Sequence, residues 1–557
     1  MGTGLVAAGV AATGIVGCSS GGGTAKEGPS DQVSWDYEAD VVVVGTGPAG
    51  VSCAANAAEN GATVIAIDAN DKIGGKGILA GGNLGIGGGT RMQIEAGFEE
   101  TADIIYQDRT EPTLRDDITM EVEDVDGGVH EVGQWRKIAG TQDGEGMARA
   151  FADRSLDTWD WLDDLGCPFI KANVSKKSAV YRGSRYYTTT SPQPVNRDGA
   201  STDMQAGGAG LIWPMYDDAV DNGAEFKLNC KMTKIIRQDG DRSGRVIGIE
   251  ANEAGKLVRI KANKAVFLGT GSWNGSAKLK VLFNPMLAAY PHISGEPYVF
   301  NDGSGVELAL DAGAALSTDR GSDWHGWHRH PGSRWHSIKP PYGLPGTAEP
   351  ETDSCIYVNA EGVRFMNEEI PEEGPSWIGG NPPFFFAELC ASQTANEDGP
   401  IVWIVLDEQA RAAQELEFVV DETVYDDMYK IADSIDDLAK AMGVPADALK
   451  KTIDDYNASV DAGEDEAFGK RSMSAKIEST PFHAVMWGIQ KHNTLGGITI
   501  NPNAQVVDWS GAVIPGLYAA GESAGNMDLI GLAKPIVFGR IAGENAAKEA
   551  AWDSASN

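Results

Sequence analysis

Residues 40–50 constrain the fold of this chain more than any other segment. The run DVVVV at 40–44 is apolar after its first residue, as in a strand buried on both faces of a parallel sheet. A glycine-rich turn follows at once, residues 51–60 are rich in alanine and predict a helix, and residues 62–67 predict a second buried strand. This order predicts a βαβ unit of an α/β fold.

The turn of this unit, GTGPAG at 45–50, has the spacing G-x-G-x-x-G. With this spacing Gly45 permits the tight turn, Gly47 lets the main chain approach a pyrophosphate, and Gly50 lets the helix pack on the strand. The phosphates would meet the positive end of the helix, and Asp68, 18 residues after Gly50, would accept hydrogen bonds from a ribose. A lone motif of this kind is weak, but its place between a predicted strand and a predicted helix indicates a dinucleotide site.

Patterns elsewhere predict the remaining elements. Residues 226–266 alternate as short strands, and glycine dominates 74–89 too densely for regular structure. Helical patterns lie at about 98–108, 145–165, 407–417 and 430–460, and a last helix is expected from about 537.

Charge and cysteine content exclude several functions. The chain of 557 residues has 80 acidic and 45 basic residues, a formal net charge of −35, which repels nucleic acid and anionic lipid headgroups. None of the six cysteines has C-x-x-C spacing, which argues against an iron–sulfur cluster, a structural zinc or a c-type haem. Any electron carriers that serve this chain are therefore expected on other proteins.

Residues 1–35 are not expected to belong to the fold. Residues 4–17 form a short Gly/Ala/Val run that ends before Cys18, as in a bacterial lipoprotein signal whose cysteine is acylated. No Lys or Arg precedes Lys26, which departs from that pattern. We expect a protein exported to the periplasm or cell surface, with membrane anchoring through lipidated Cys18, and a cytoplasmic protein if the segment is not a signal. Export of a protein that folds around its dinucleotide before export would need a twin-arginine pair upstream of Met1.

Nine blocks, in order, resemble the flavoproteins of the fumarate reductase/succinate dehydrogenase superfamily, which includes the ketosteroid dehydrogenases. The blocks are GGKG at 74–77 with AGGN at 80–83, WL at 161–162 with LG at 165–166, GGAG at 207–210, LGTG at 268–271, GSG at 303–305, VN at 358–359 through GVRFMNE at 362–368, TLGG at 494–497, GE at 521–522 and FGRIAG at 538–543. The resemblance implies a Rossmann-like FAD-binding domain interrupted by an α+β capping domain, with substrate held between cap and flavin. The FAD-binding domain would take 36–318 and the return segment 491–549, around a cap at 319–490 and before a tail at 550–557.

The resemblance also implies how FAD is held. Residues 75–82 would run past the isoalloxazine, Met232 would lie near the adenine, and Glu522 would hold ribityl hydroxyls. Relatives with covalent flavin carry a His at the position of Gly75, so non-covalent FAD is expected here. The predicted FAD-binding residues are Gly45, Gly47, Pro48, Ala49, Gly50, Asp68, Ala69, Gly74, Gly75, Lys76, Gly77, Ala80, Gly81, Gly82, Met232, Gly269, Thr270, Gly271, Gly521, Glu522, Pro535 and Ile536.

The residues expected to act on a substrate depart from the fumarate reductase pattern. The family's acid, an Arg past the R-F-x-N-E block, is replaced by Glu372, which cannot clamp a dicarboxylate. The substrate-binding His before T-x-G-G is replaced by Asn493, with His492 one position earlier. The Arg expected after 521–522 is missing, and Lys534 is the nearest basic residue. Plain fumarate reduction is therefore disfavoured.

Residues 320–350 hold four of the eight histidines and three tryptophans without a period. His330 precedes Pro331, as in the family's His-Pro whose His binds substrate carboxylate. The stretch is either a loop packed by its own aromatics or an aromatic-walled pocket for a substrate larger and flatter than fumarate. No acid or Cys joins the histidines at ligand spacing, so no metal site is predicted.

Two further groups have a structural and a functional interpretation. Tyr187 lies with Tyr181 and Tyr186 in a stretch that is either an ordinary loop or the source of an acid, as a tyrosine is in the ketosteroid relatives. Arg364 and Glu368 are either structural partners or, for Arg364, a substrate ligand.

We expect an FAD-dependent reductase that saturates an activated C=C bond, an enoate or enone, in a small organic acceptor. Its electrons would come from a separate cytochrome or quinol-linked protein. The alternatives are a ketosteroid-type dehydrogenase and a flavin electron carrier without substrate chemistry. Lys534, expected near the flavin pyrimidine edge, would stabilise the reduced, anionic flavin. The candidate residues are Tyr187, His492 and Lys534 as acid or polarising groups and His330, Arg364 and Asn493 as substrate ligands.

Overall fold

The computed structural model describes residues 34–80, 82–95, 97, 99–110, 121–123, 129–131, 144–169, 187–188, 207–283, 301–317, 322–327, 352–368, 401–413, 429–494, 496–526 and 531–552. None of the helices in these ranges is both long and apolar enough to cross a membrane. The signal-like segment with Cys18 lies outside the described residues, so export and membrane anchoring stay predictions.

The large sheet has eight strands around a central β1. Its strands are, along the sheet, β16 (Gln505–Val507), β17 (Val513–Ala519), β10 (Lys256–Leu268), β1 (Tyr37–Val44), β2 (Val64–Ile67) and β7 (Glu225–Lys227), with β8 (Cys230–Arg237) and β9 (Val246–Glu253) joined through β10. The strands from β17 to β7 are parallel, whereas β8, β9 and β10 form an antiparallel meander. Val43 of β1 aligns with Phe267 and Ala66, and all three are fully buried, which explains the apolar run at 41–44.

The helices are distributed between this sheet and a second one. They are α1 (Pro48–Glu59), α2 (Arg91–Glu95), α3 (Ala102–Thr110), α4 (Gly144–Asp164), α5 (Ala209–Asp221), α6 (Ala277–Phe283), α7 (Ser304–Asp311), α8 (Glu408–Ala413), α9 (Ile435–Met442), α10 (Ala446–Ala462) and α11 (Ala533–Lys548). The predicted helices at 98–108 and 145–165 correspond to α3 and α4 within a few residues.

The first and last of the helices in the large core, α1 and α11, pack together closely. A Cβ on Gly539 would lie 2.5 Å from the carbonyl oxygen of Ala49, and one on Gly543 would lie 2.5 Å from that of Cys53. The glycines of the FGRIAG block therefore let the two backbones touch. The Ser52 hydroxyl donates to the Ile536 carbonyl at 2.8 Å and fixes the contact near the start of both helices.

The second sheet is antiparallel and has its own apolar core. Its strands are, along the sheet, β11 (Ser322–Trp327), β15 (Phe482–Thr494), β13 (Ile401–Asp407) and β12 (Ile356–Val358), with β14 (Tyr429–Ala432) also paired to β15. Apolar residues of α9 and α10, among them Leu438 and Ile453, pack against sheet residues such as Val405 and Ala484. The α/β fold class with an additional α+β part is confirmed. Two short antiparallel pairs complete the described strands, β3 (Asn83–Leu84) with β6 (Tyr187–Thr188) and β4 (Glu121–Glu123) with β5 (Val129–Glu131).

Some predicted element bounds are wrong. The predicted helix at 430–460 begins instead with β14 and is broken at Gly443, which closes α9 with a φ of +75°. The last helix begins at Ala533 rather than near 537, because Pro535 in the first turn of a helix removes no intrahelical hydrogen bond. The second sheet extends to Thr494, where β15 pairs with β11, and the predicted domain bounds stay a prediction.

Candidate functional site

Four parallel strands of the large sheet end at one edge, close to residues predicted to bind FAD. Asp68 follows β2, Gly45 follows β1 and Gly269 follows β10, while β17 ends two residues before Gly521. The Gly45 amide donates to the carbonyl of Ile67 at 2.8 Å, which continues the sheet pairing into the turn. Ligands of open α/β sheets bind outside the carboxyl ends of the strands, so this edge is the candidate site.

The three motif glycines meet three different steric demands. Gly45 has a φ of +98°, and a side chain there would overlap the Gly269 carbonyl. A side chain on Gly50 would overlap the carbonyl of Gly45, where α1 passes over the strand. A Cβ on Gly47 would meet no atom within 4 Å. Gly47 therefore borders open space at the start of α1, as expected for the approach of a pyrophosphate.

Three helices begin beside this space without an acidic residue in their first turns. Helix α1 starts after Gly47, α11 starts where Pro535 lies against Gly521, and α5 starts after Gly208, whose amide donates to Ala80 at 2.8 Å. Backbone N–H groups and the helix dipole make each of these ends weakly positive. Their convergence fits an anionic group such as a pyrophosphate.

The carboxylate of Asp68 holds the glycine turn in place through hydrogen bonds. One of its carboxylate oxygens accepts from the Thr46 amide and the Thr46 hydroxyl, both at 2.7 Å, and the other accepts from the Asn70 amide at 2.8 Å. Burial raises the pKa of the Asp68 carboxyl, and these hydrogen bonds act in the opposite direction. Asp68 thus positions the turn, and its predicted bond to the ribose would use the remaining lone pairs.

The surroundings of Asp68 are those expected for the adenosine end of FAD. The carbonyl of Asp68 accepts from the amide of Cys230, which places the start of β8 beside it. Met232 follows on that strand and is buried, and Ala69 is partly exposed next to Asp68. Contact of these residues with an adenine stays a prediction.

The second glycine block, residues 74–82, packs against the glycine turn at 45–50. The Gly74 amide donates to the Thr46 carbonyl at 3.1 Å, and a Cβ on Gly75 would lie 3.1 Å from the Cα of Gly47. A side chain on Gly77 would overlap the ring of Pro48. This segment therefore borders the open space at Gly47, and Gly82, with a φ of +88°, continues it towards β3. Gly81 lies outside the described residues.

The return segment closes the site from the other side. A Cβ on Gly521 would lie 3.1 Å from the Cβ of Ala49. The hydroxyls of Ser523 and Thr270 are 3.2 Å apart, and Ser523 also donates to the Gly271 carbonyl at 3.4 Å. Segments that are hundreds of residues apart in the chain are thereby joined around one space.

An ion pair links the second glycine block to the return segment. The Lys76 ammonium lies 2.8 Å from a carboxylate oxygen of Glu522, and both side chains are largely buried. Sequence reasoning named both residues as FAD ligands but did not pair them, because no local pattern connects positions 446 residues apart.

The described residues fit FAD on steric and chemical grounds. A Cβ on Gly47 would meet no atom within 4 Å, α1 begins next to it without an acidic residue in its first turn, and the neighbouring segments have glycine at positions 75 and 521, where they approach the turn. Gly75 offers no side chain for a covalent link to a flavin, in agreement with the non-covalent binding that the sequence predicts.

Lys534 is buried and holds the return segment. It is 3% exposed, and its ammonium donates to the Ala524 carbonyl at 2.6 Å. This contact joins the first turn of α11 to the loop that carries Glu522. It supports a positioning role for Lys534 and leaves the predicted contact with the flavin pyrimidine a prediction.

Arg364 belongs to a buried ion network in the second core. Its guanidinium donates two bonds of 2.8 Å to Glu368 and one of 2.8 Å to Asp465. Lys470 lies 3.3 Å from Glu368 and donates to the Cys355 carbonyl, so two cations meet two anions. These contacts support the structural interpretation of Arg364 rather than a substrate-binding one.

For Tyr187, His492 and Asn493 the structure describes only the main chain. His492 and Asn493 lie at the end of β15, whose last residue, Thr494, donates its hydroxyl to the Glu522 carbonyl at 3.4 Å. Tyr187 pairs with Leu84, two residues after Gly82. The backbones of all three residues are therefore near the FAD-binding segments. His330 and Glu372 lie outside the described residues.

Two supporting residues were missed by sequence reasoning. The Thr46 hydroxyl binds Asp68, and the Trp273 indole donates to the Gly496 carbonyl at 2.7 Å, tying the TLGG block to the segment after β10. Trp273 is fully buried. A tryptophan four residues after Gly269 carries no sequence signal for this bond, which depends on a contact 223 residues away.

Comparison with known proteins supports this assignment. Residues 113–530 match the family described as FAD binding domain, and residues 40–140 match the family described as FAD dependent oxidoreductase. The chain is 27% identical over 518 residues to a probable fumarate reductase of Shewanella frigidimarina, covering 92% of this chain and 75% of the relative. It is 27% identical to the acrylate reductase flavoprotein subunit of Shewanella woodyi, covering 92% of each chain, and 23% identical to urocanate reductase of Eggerthella lenta, covering 92% and 75%.

Solved structures agree on the fold. The open conformation of a flavocytochrome c3 fumarate reductase superimposes with a TM-score of 0.66 at 24% identity, covering 93% of this chain and 79% of that one. A 3-ketosteroid-delta4-(5alpha)-dehydrogenase from Rhodococcus jostii superimposes with a TM-score of 0.64 at 24% identity, covering 94% and 99%. The cofactor is FAD, as predicted, and the protein is a flavin-dependent oxidoreductase. The chain belongs to the FAD binding domain family.

Proposed function

We propose that this protein reduces an activated C=C bond of a small organic acceptor, with electrons delivered to its FAD by a separate protein. The observation that carries the proposal is the meeting of β15 with the FAD site. The Thr494–Glu522 contact brings the end of the second sheet, with His492 and Asn493, to the return segment that borders the open space at Gly47. A substrate between the two parts would therefore lie beside the cofactor.

The relatives support this reaction class. Fumarate, acrylate and urocanate reductases are named for unsaturated carboxylic acids, each with a C=C bond activated by an electron-withdrawing group. The bound FAD would supply hydride to one carbon of such a bond, and an acid on the opposite face would supply the proton. The name of the acrylate reductase relative denotes a flavoprotein subunit, which fits electron delivery from another chain.

The chain's own residues divide the remaining work. Lys534 is engaged with the Ala524 carbonyl, so Tyr187 and His492 are the better candidates for the proton donor. Tyr187 pairs with Leu84, which comes two residues after the second glycine block in the sequence, and His492 lies two residues before Thr494. Asn493 and His330 are the proposed substrate ligands, and Arg364 is assigned to the internal ion network.

The substrate is proposed to differ from fumarate. Glu372 stands where a clamping Arg is expected, and Asn493 stands where a His is expected. With a carboxylate in place of an Arg and a neutral amide in place of a His, the site has less positive charge to offer a second carboxylate. An enoate or enone with a larger, flatter body, matched to the Trp- and His-rich stretch at 320–350, is therefore favoured over a small dicarboxylate.

An anaerobic reoxidation assay tests the proposal. The purified holoprotein is reduced, and enoates, enones and fumarate are added separately while the flavin absorbance is followed. Rapid reoxidation by an enoate or enone, with the saturated product found by mass spectrometry, is expected. Bleaching of the oxidised flavin by a saturated ketosteroid would instead show a dehydrogenase, and exchange with a cytochrome alone would show an electron carrier.

Variants then separate the two proposed acids. Tyr187→Phe and His492→Gln remove a proton donor with little change in size, Lys534→Met tests the third candidate residue, and Lys451→Met, at an exposed position on α10, is the control. The acid's variant should lower turnover at least 100-fold and keep bound FAD, since general acid catalysis contributes about 10²- to 10⁴-fold. If Lys534→Met alone lost turnover while FAD stayed bound, the assignment of Lys534 as a positioning residue would be wrong.

A further inference from the structure

The Lys76–Glu522 ion pair is preorganised by the segments on either side of it. Lys76 stands between Gly75 and Gly77, which pack against the Gly47 main chain and the Pro48 ring. Glu522 follows Gly521, which packs against Ala49 and Pro535. The main chain beside Lys76 and the main chain beside Glu522 therefore both pack against the glycine turn. The ammonium and the carboxylate are 2.8 Å apart in this arrangement.

The return segment is also held by the second sheet and by α11. The carbonyl of Glu522 accepts from the Thr494 hydroxyl at 3.4 Å, and the carbonyl of Ala524 accepts from Lys534 at 2.6 Å. With its main chain held in this way, the Glu522 carboxylate has little freedom beyond its own side-chain rotation. The Lys76 ammonium removes part of that freedom.

The pair is sheltered from solvent. The Lys76 side chain is 15% exposed and the Glu522 side chain 20% exposed. Charges this close and this sheltered interact far more strongly than exposed pairs, and a lone carboxylate there would lack its counter-charge. Removal of the lysine therefore leaves a negative charge next to the predicted ribityl and ring-binding segment.

We propose that Lys76 is a positioning residue that sets the reduction potential of the bound FAD through Glu522. Lys76 holds the Glu522 carboxylate towards the cofactor and compensates its charge. Reduction adds negative charge to a flavin, so an uncompensated carboxylate beside it opposes reduction and a compensated one does not. The pair also joins the first part of the FAD site to the return segment, so it contributes to FAD affinity.

A set of four variants tests this role. Lys76→Met removes the positive charge, Glu522→Gln removes the negative one, the double variant removes both, and Lys76→Arg keeps the charge. Each is measured for FAD dissociation by fluorescence titration and for midpoint potential by equilibration with a reference dye. Neither measurement needs a substrate, so the outcome is independent of the proposed reaction.

Lys76→Met is expected to weaken FAD binding about tenfold and to make the midpoint potential more negative. A further tenfold bias against the reduced flavin would correspond to about 30 mV for a two-electron couple. Glu522→Gln should weaken FAD binding without that negative shift, and the double variant should return the potential towards the wild-type value. Lys76→Arg should keep the wild-type potential.

Lys451→Met is the matched control, because Lys451 forms an exposed ion pair with Asp455 on α10. It removes the same charge from the chain and should change neither quantity. A wild-type potential in Lys76→Met, or an equal shift in Lys451→Met, would overturn the proposal. If Lys76→Met does not bind FAD, the comparison of Glu522→Gln with the double variant decides the question. A more negative potential in the double variant supports charge compensation, because that variant has also lost the cation, and identical potentials in these two variants contradict it.

Discussion

Replacing Gly47 by Ala separates the cofactor role of the glycine turn from its folding role. The Gly47 backbone is extended, with φ −71° and ψ −175°, so alanine can adopt it without strain. An added Cβ would meet no protein atom within 4 Å. The apoprotein should therefore fold as before, and its stability should change little or rise by about 0.4–1 kcal/mol, because the unfolded chain loses freedom.

FAD affinity should nevertheless fall. The space beside Gly47 is where the main chain is predicted to approach the pyrophosphate, and a methyl group there would push the phosphates away from the first amides of α1. A hydrogen bond to a charged group contributes about 1.5–3 kcal/mol. Loss of one such bond, at about 1.4 kcal/mol per tenfold change, weakens FAD binding by about 10- to 100-fold.

The assay pairs thermal unfolding of the apoprotein with FAD titration by fluorescence. Gly61→Ala is the control, because Gly61 has a φ of +80° and open space around it. Its left-handed backbone should cost about 1–2 kcal/mol of stability and leave FAD affinity unchanged. The placement of the pyrophosphate would be refuted if Gly47→Ala bound FAD as tightly as wild type.

Three further variants test other parts of the structure. Burial and the neighbouring Glu59 raise the pKa of Asp218 to about 7, so the native state retains a proton that the unfolded state loses from about pH 4 upwards. Stability from this group is therefore lost as the pH rises towards 7, and Asp218→Asn should remove that slope in urea unfolding measured from pH 4 to 8. Arg364→Met leaves Asp465 without its guanidinium partner and Glu368 with Lys470 as its cation, and should destabilise the second core by about 3–5 kcal/mol, with FAD affinity unchanged in a titration. Gly539→Val forces a side chain against Ala49 at the start of α1 and should lower both the melting temperature and FAD affinity, since overpacking costs about 1–3 kcal/mol.

The FAD site could be predicted from the sequence because its requirements are local and steric. Gly45, Gly47 and Gly50 lie in one strand–turn–helix segment, so their spacing is sufficient to recognise them, although the carbonyl that excludes a side chain at Gly45 belongs to Gly269. The Thr46–Asp68 bonds and the Lys76–Glu522 pair could not be predicted in the same way. They depend on which segments the tertiary fold brings together, and no spacing in the sequence records that.

The predicted bounds of helices are wrong where tertiary packing overrides the local sequence pattern. Residues 429–432 follow a helical pattern in sequence but pair with β15 as β14, since the edge of an existing sheet satisfies their main-chain groups. The sequence predicts a last helix from about 537, whereas Pro535 occupies the first turn of α11. For Arg364 the sequence left two roles open, and the contacts with Glu368 and Asp465 favour the structural one.

The cofactor and the substrate depend on different kinds of group, and this explains why the sequence identifies the cofactor but not the substrate. The residues predicted to bind FAD are mainly glycine main chain and helix ends, so a change at Gly50 or Gly539 should disturb packing as well as binding. Tyr187, His492 and Asn493, three of the proposed substrate residues, are on β6 and β15, where replacement of a side chain leaves the main chain paired as before. A site built in this way can exchange an acceptor such as fumarate for another without losing its flavin. Variants of His492 and Asn493 should accordingly change which acceptor reoxidises the flavin while FAD content, measured by absorbance, stays constant.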